Sequence, residues 1–109
     1  MAGALLLAGN ACLHLGAGWT ILEMLDPASA HADHEQPELM IRLANTNPSK
    51  SLKQYLPDVL TIGPGLGTSL FASEWLKACL ESENIPLVID ADALNLIADS
   101  SELLSSLQL

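Results

Sequence analysis

A chain of 109 residues holds one domain at most. Half of it is apolar but only 4% is aromatic, so any core must be built from Leu, Ala, Val and Ile. With 13 acidic residues against 4 basic ones the net charge is −9, which makes nucleic acid a poor candidate partner, since phosphate backbones need clustered Lys and Arg. A phosphorylated small molecule stays open, because the N–H groups of a glycine loop can hold it without basic side chains.

Ala2 to Leu15 reads as a helix that is apolar nearly all round, to be buried or set at a subunit interface, and Gly16 and Gly18 end it. Met1 to Leu22 carries no formal charge and is long enough to span a membrane. It lacks the basic flank of a signal peptide and is broken by Gly16-Ala-Gly18, so the reading is a buried helix with a glycine stop. Within it, His14 is read as a satisfied core histidine. Cys12 and Cys79 show no CxxC or Cys/His spacing and are read as reduced, buried thiols of a cytoplasmic protein.

Trp19 to Leu25 is expected as a strand, and Asp26-Pro27 opens a polar loop through Gln36. His31, Asp33, His34 and Glu35 in that loop have a metal-like composition but no third anchor nearby, which favours a solvated acidic loop. Pro37-Glu38-Leu39-Met40 suggests a short helix with proline in its first turn, ending near Ala44. Asn45 to Ser51 is rich in turn residues, and Lys50 to Tyr55 gives little signal.

The chain's organising stretch is PDVLTIGPGLGT, Pro57 to Thr68. A short apolar run, Val59 to Ile62, enters three glycines at alternate positions, Gly63, Gly65 and Gly67. A strand covered on both faces has that composition, and glycines let the main chain turn sharply and approach a ligand closely. Leu70 to Leu80 follows with helical spacing of Phe71, Trp75 and Cys79, and Thr68 or Ser69 as cap. Asn84 closes the unit before a second strand, Pro86 to Asp90. A short helix is expected from Ala93 to Ala98, capped by Asp92, and a last segment from Glu102 to Leu107, capped by Asp99 or Ser100. Strand, glycine loop, helix, strand and acid make a βαβ unit.

Three strands alternating with helices predict a parallel sheet. So small a sheet leaves two open edges, and the chain starts inside one helix and stops after another, as a piece of something larger would. The glycine loop itself supports two readings. One is a dinucleotide fingerprint with Asp90 on a ribose, although Thr68 stands where the third glycine belongs and Pro64 lacks an N–H. The other is a plain strand-to-helix turn. Asp90 and Asp92 are open as an acid–base or Mg²⁺-binding pair, or as a polar strand end and a helix cap. Ser69 and Ser73 have no Ser/His/Asp context.

Taken as a phrase, Thr61-Ile-Gly-Pro-Gly-Leu-Gly67 followed by Pro86-Leu-Val-Ile-Asp-Ala-Asp-Ala-Leu-Asn95 resembles the NAD(P)H-hydrate dehydratase family, nucleotide-dependent repair enzymes with a ribokinase-like fold. Met1-Ala-Gly-Ala4 with its apolar helix, and Pro37-Glu-Leu-Met40, agree with it. The resemblance implies a ribokinase-like, Rossmann-like three-layer α/β fold, incomplete here with three parallel strands flanked by helices. It implies lyase chemistry in which ADP or ATP, with Mg²⁺, phosphorylates the hydroxyl of hydrated NADH or NADPH, and loss of phosphate restores the dinucleotide.

In the family, the small residue after the first glycine loop and the middle glycine of GPGLG line the hydrate's site. The matching positions are Ala4 and Gly65, with Gly63 at the same rim and Asp90 and Asn95 in support. A homo-oligomer is expected of the full-length protein. The family's His-Pro-Gly-Glu phrase, its Lys-Gly adenine-nucleotide loop and the Gly-Thr-Gly-Asp phrase with its catalytic Asp are not in these 109 residues, nor is the first strand with its glycine loop. The expectation is therefore a partial domain, 1–109, that holds no catalytic residue and is inactive alone. A small-molecule kinase of the same fold, or a small Rossmann-like nucleotide-binding module, are the alternatives.

Overall fold

A computed structural model describes residues 2–27 and 38–107, which form two compact units, Met1–Ala44 and Asn45–Leu109. In the first, α1 (Ala2–His14) leads into β1 (Thr20–Met24), and β2 (Leu39–Leu43) pairs with β1 in parallel from Thr20↔Leu39 to Met24↔Leu43. Leu22, Met24 and Leu39 form the core, with Leu5, Leu6, Leu13 and Ile41 packed on it. The helix lies close on the sheet at Gly9, where a Cβ would come within 2.9 Å of the Leu22 and Leu39 side chains. Leu6, Gly9 and Leu13 recur at helical spacing on that face. Gly16, at φ +104°, ends α1 as expected.

Three expectations for this unit are corrected. His14 and Cys12 are exposed rather than buried. Leu7, Ala11 and His14 fall at i, i+4 and i+7 on one face of α1, and Leu7 is 73% exposed there. An all-apolar helix has no polar stripe to say which face meets the sheet. The third correction is at 39–43, expected as a helix and found as strand β2. So short a helix is weakly stable by itself, whereas five residues paired with β1 satisfy the backbone groups that face it and bury Leu39. The loop with His31 and Glu35 lies outside the described residues.

The second unit opens with α2 (Pro48–Tyr55), a helix over a span expected as turn-rich to Ser51 and of little signal to Tyr55. Asn47 Oδ1 accepts from the Lys50 N–H at 3.4 Å, and Pro48 occupies the first turn, where its missing N–H costs nothing. After it come β3 (Leu60–Ile62), α3 (Leu70–Glu81), β4 (Leu87–Ile89), α4 (Asp92–Ala98) and α5 (Ser101–Ser106). Strands β3 and β4 pair in parallel, Leu60↔Leu87 to Ile62↔Ile89, across the α3 crossover. The core is one face of α3 (Ala72, Trp75, Leu76, Cys79 and Leu80) with Ile62, Ala93, Ile97 and Leu103. The buried Trp75 indole N–H donates to the Asn45 carbonyl at 3.2 Å. Ser69 caps α3 and Ser100 caps α5, each an option the sequence had named.

The described residues thus form a small α/β structure with four strands, not the three expected, in two separate two-stranded parallel sheets. The added strand is β2. No helix among them is long and apolar enough to cross a membrane.

Candidate functional site

Parallel pairing sends the C-terminal ends of β3 and β4 out at one edge, the position where open α/β sheets bind ligands. The glycine loop leaves β3 there, and Asp90 to Asn95 leave β4. Gly63 is buried at φ +132°, and a Cβ on it would lie 1.6 Å from the Asp90 carbonyl oxygen. The Asp90 N–H donates to the Ile62 carbonyl at 3.1 Å, so the two strand ends touch backbone to backbone. Only glycine fits that position.

The next residues turn tightly. The Leu66 N–H donates to the Gly63 carbonyl at 3.0 Å, closing a turn with Pro64 and Gly65 at its centre. Proline in the second position and a glycine at φ +70° in the third make it a type II turn. Pro64, a defect for a dinucleotide fingerprint, is therefore what shapes this loop. Gly67, at φ +79°, continues it, and its N–H donates to Asp92 Oδ2 at 3.0 Å.

Asp92 does not cap α4, contrary to expectation. The residue before the helix is Ala91, with no side-chain cap, and Asp92 is the first helical residue. The first-turn N–H groups are met by backbone: Ala93 donates to the Asp90 carbonyl at 3.1 Å and Leu94 to the Ala91 carbonyl at 3.0 Å. The Asp92 carboxylate instead bridges two segments, taking Gly67 on Oδ2 and the Asn95 Nδ2 on Oδ1 at 3.3 Å. Ala91 holds φ 49° and ψ −126°, a conformation that suits glycine and costs another residue about 1–3 kcal/mol. Strain thus sits on the turn that aims Asp92 at the glycine loop.

The structure brings Gly63, Gly65, Asp90 and Asn95 to one edge of the second unit, with Asp90 and Asn95 exposed. Ala4 is half-buried on α1 of the first unit. Asp92, weighed in the sequence as an acid–base or Mg²⁺ partner of Asp90 or as a helix cap, is instead the connector. Its partner is 25 positions away, and no local pattern signals such a bond.

The chemistry open to this edge is bounded by its donors. A carboxylate already occupies the Gly67 N–H, where a dinucleotide phosphate would bind. Both Asp92 oxygens accept from N–H groups, and the described residues contain no cluster of three His, Cys, Asp or Glu able to hold a metal. Lys77 is 2.6 Å from Glu102, joining α3 to α5, and is thereby held in an ion pair. That hydrogen bond and the opposite charge raise the Lys77 pKa and lower that of Glu102.

Comparison with known proteins gives a consistent set of relatives. The family model described as NAD(P)H-hydrate dehydratase matches residues 1–108. A bifunctional NAD(P)H-hydrate repair enzyme of Leishmania braziliensis is 36% identical over 107 residues, covering 89% of this chain and 19% of its own. An ADP-dependent (S)-NAD(P)H-hydrate dehydratase of Lactiplantibacillus plantarum is 36% identical over 104 residues, 91% of this chain and 36% of its own. The ATP-dependent (S)-NAD(P)H-hydrate dehydratase of Mus musculus is 33% identical over 111 residues, 95% of this chain and 32% of its own. This chain thus spans between about a fifth and just over a third of the length of these relatives. No solved structure matches it significantly.

Proposed function

This chain belongs to the NAD(P)H-hydrate dehydratase family, and we propose that it forms the substrate-side part of an enzyme that repairs hydrated NADH or NADPH at the expense of ADP or ATP. The observation that carries the reading is the edge formed by GPGLG and DADALN, whose Gly63–Asp90 contact and Asp92 bridge give the family's phrase a defined shape. In this proposal Gly65 and Gly63 present main chain to the hydrated nicotinamide, and the substrate-binding role of Ala4, on the first unit, rests on the family resemblance alone. Asp90 and Asn95 support the rim. The parent fold is ribokinase-like.

Phosphoryl transfer needs a base, a charge clamp and usually Mg²⁺. In this proposal the base comes from a phrase these 109 residues do not contain. We therefore assign this chain binding without turnover. A cytoplasmic setting and a homo-oligomeric parent complete the proposal.

Calorimetric titration with hydrated NADPH and with intact NADPH tests it, paired with an assay for recovery of the reduced nicotinamide in the presence of ADP or ATP. The expected result is preferential binding of the hydrate and no recovery. Equal affinity for the two dinucleotides would contradict the substrate assignment. Recovery catalysed by the 109-residue chain would overturn the claim that it is catalytically incomplete.

A further inference from the structure

We infer that Asp92 is a positioning residue, a clasp that fixes the GPGLG loop in its ligand-accepting shape and is itself oriented by Asn95. The part of this inference that concerns substrate rests on the function proposed above. The clasp itself rests on geometry alone. An acid in the first turn of a helix ordinarily serves that helix's own N–H groups or its dipole. Here the backbone carbonyls of Asp90 and Ala91 meet the first turn, and the Asp92 carboxylate is turned toward Gly67, 3.0 Å from its N–H.

Two further features act together with that bond. Ala91 takes a conformation that favours glycine at the point where the chain leaves β4, which sets the direction of the next residue. Asn95 donates to the other carboxylate oxygen at 3.3 Å, one turn along the same helix, which fixes the plane of the carboxylate. Gly67 ends the loop that begins at Gly63, so the loop is held at both ends. Gly63 is fixed by its contact with Asp90, and Gly67 by the hydrogen bond to Asp92. The type II turn with Gly65 lies between those points.

Residue-resolved amide hydrogen exchange on the 109-residue chain tests the clasp, with hydrated NADPH titrated in parallel. In Asp92→Ala the Gly67 amide should exchange at least tenfold faster, while the Leu60 and Asp90 amides of the β3–β4 ladder keep their protection. Affinity for hydrated NADPH should fall by a similar factor. The exchanged pair Asp92→Asn with Asn95→Asp should restore the protection of Gly67, because an amide at 92 can accept from Gly67 and donate to a carboxylate at 95. Unchanged Gly67 exchange in Asp92→Ala would overturn the clasp whatever the chain binds. Equal loss of protection in the β3–β4 ladder would overturn it too, showing a general structural role. Failure of the unsubstituted chain to bind hydrated NADPH would overturn the substrate reading, and Gly67 exchange would still decide the clasp.

Discussion

Gly63 and Ala91 are close in the fold and opposite in their fit to the backbone. At Gly63 a methyl group would occupy the Asp90 carbonyl, and φ is +132° as well. Gly63→Ala should therefore cost about 3 kcal/mol or more, since the clash can be relieved only by parting β3 from β4. Denaturant unfolding would measure it. At Ala91 the reverse holds. Relief of strain should outweigh the entropy of an added glycine, so Ala91→Gly should raise stability by about 1 kcal/mol. A loss of stability would show that ψ −126° at this position is comfortable for alanine. The glycine pattern made Gly63 legible in sequence, because strand-then-glycine is a local signal. Ala91 was not legible, since alanine carries no mark of an unusual φ.

Among elements, α3 was read almost to the residue. Its apolar spacing is amphipathic and its capping serine is local to it. Ser69→Ala should cost about 1 kcal/mol, read as a lower thermal midpoint. The pair Lys77–Glu102 ties α3 to α5 from exposed positions, so its contribution is small and screened by salt. Because the folded state lowers the Glu102 pKa, its contribution is present above the ordinary carboxylate value and fades as pH falls through the depressed one. The raised Lys77 pKa sets the alkaline limit, with the contribution lost as pH rises through it. Glu102→Gln should thus lower the thermal midpoint slightly near neutrality, and not at all in acid or at high salt. β2 was misread for the opposite reason to α3. Its proline-led start is a local helix signal, while its partner β1 lies across a long sequence gap.

For the whole molecule, the βαβ unit with its glycine-loop edge was legible in the sequence, but not the division into two units with separate two-stranded sheets. That division follows from which strands find each other, a long-range outcome. Family membership is the firmest result, since the match runs over residues 1–108. The central claim, that the GPGLG–DADALN edge receives hydrated NADH or NADPH, is tested most directly by a two-dimensional amide spectrum of this chain titrated with hydrated NADPH. Saturable shifts are expected at residues 63–67 and 90–95, with Gly65→Val abolishing them and leaving the α3 signals in place. Shifts confined to other segments, or none at saturating hydrate, would contradict it.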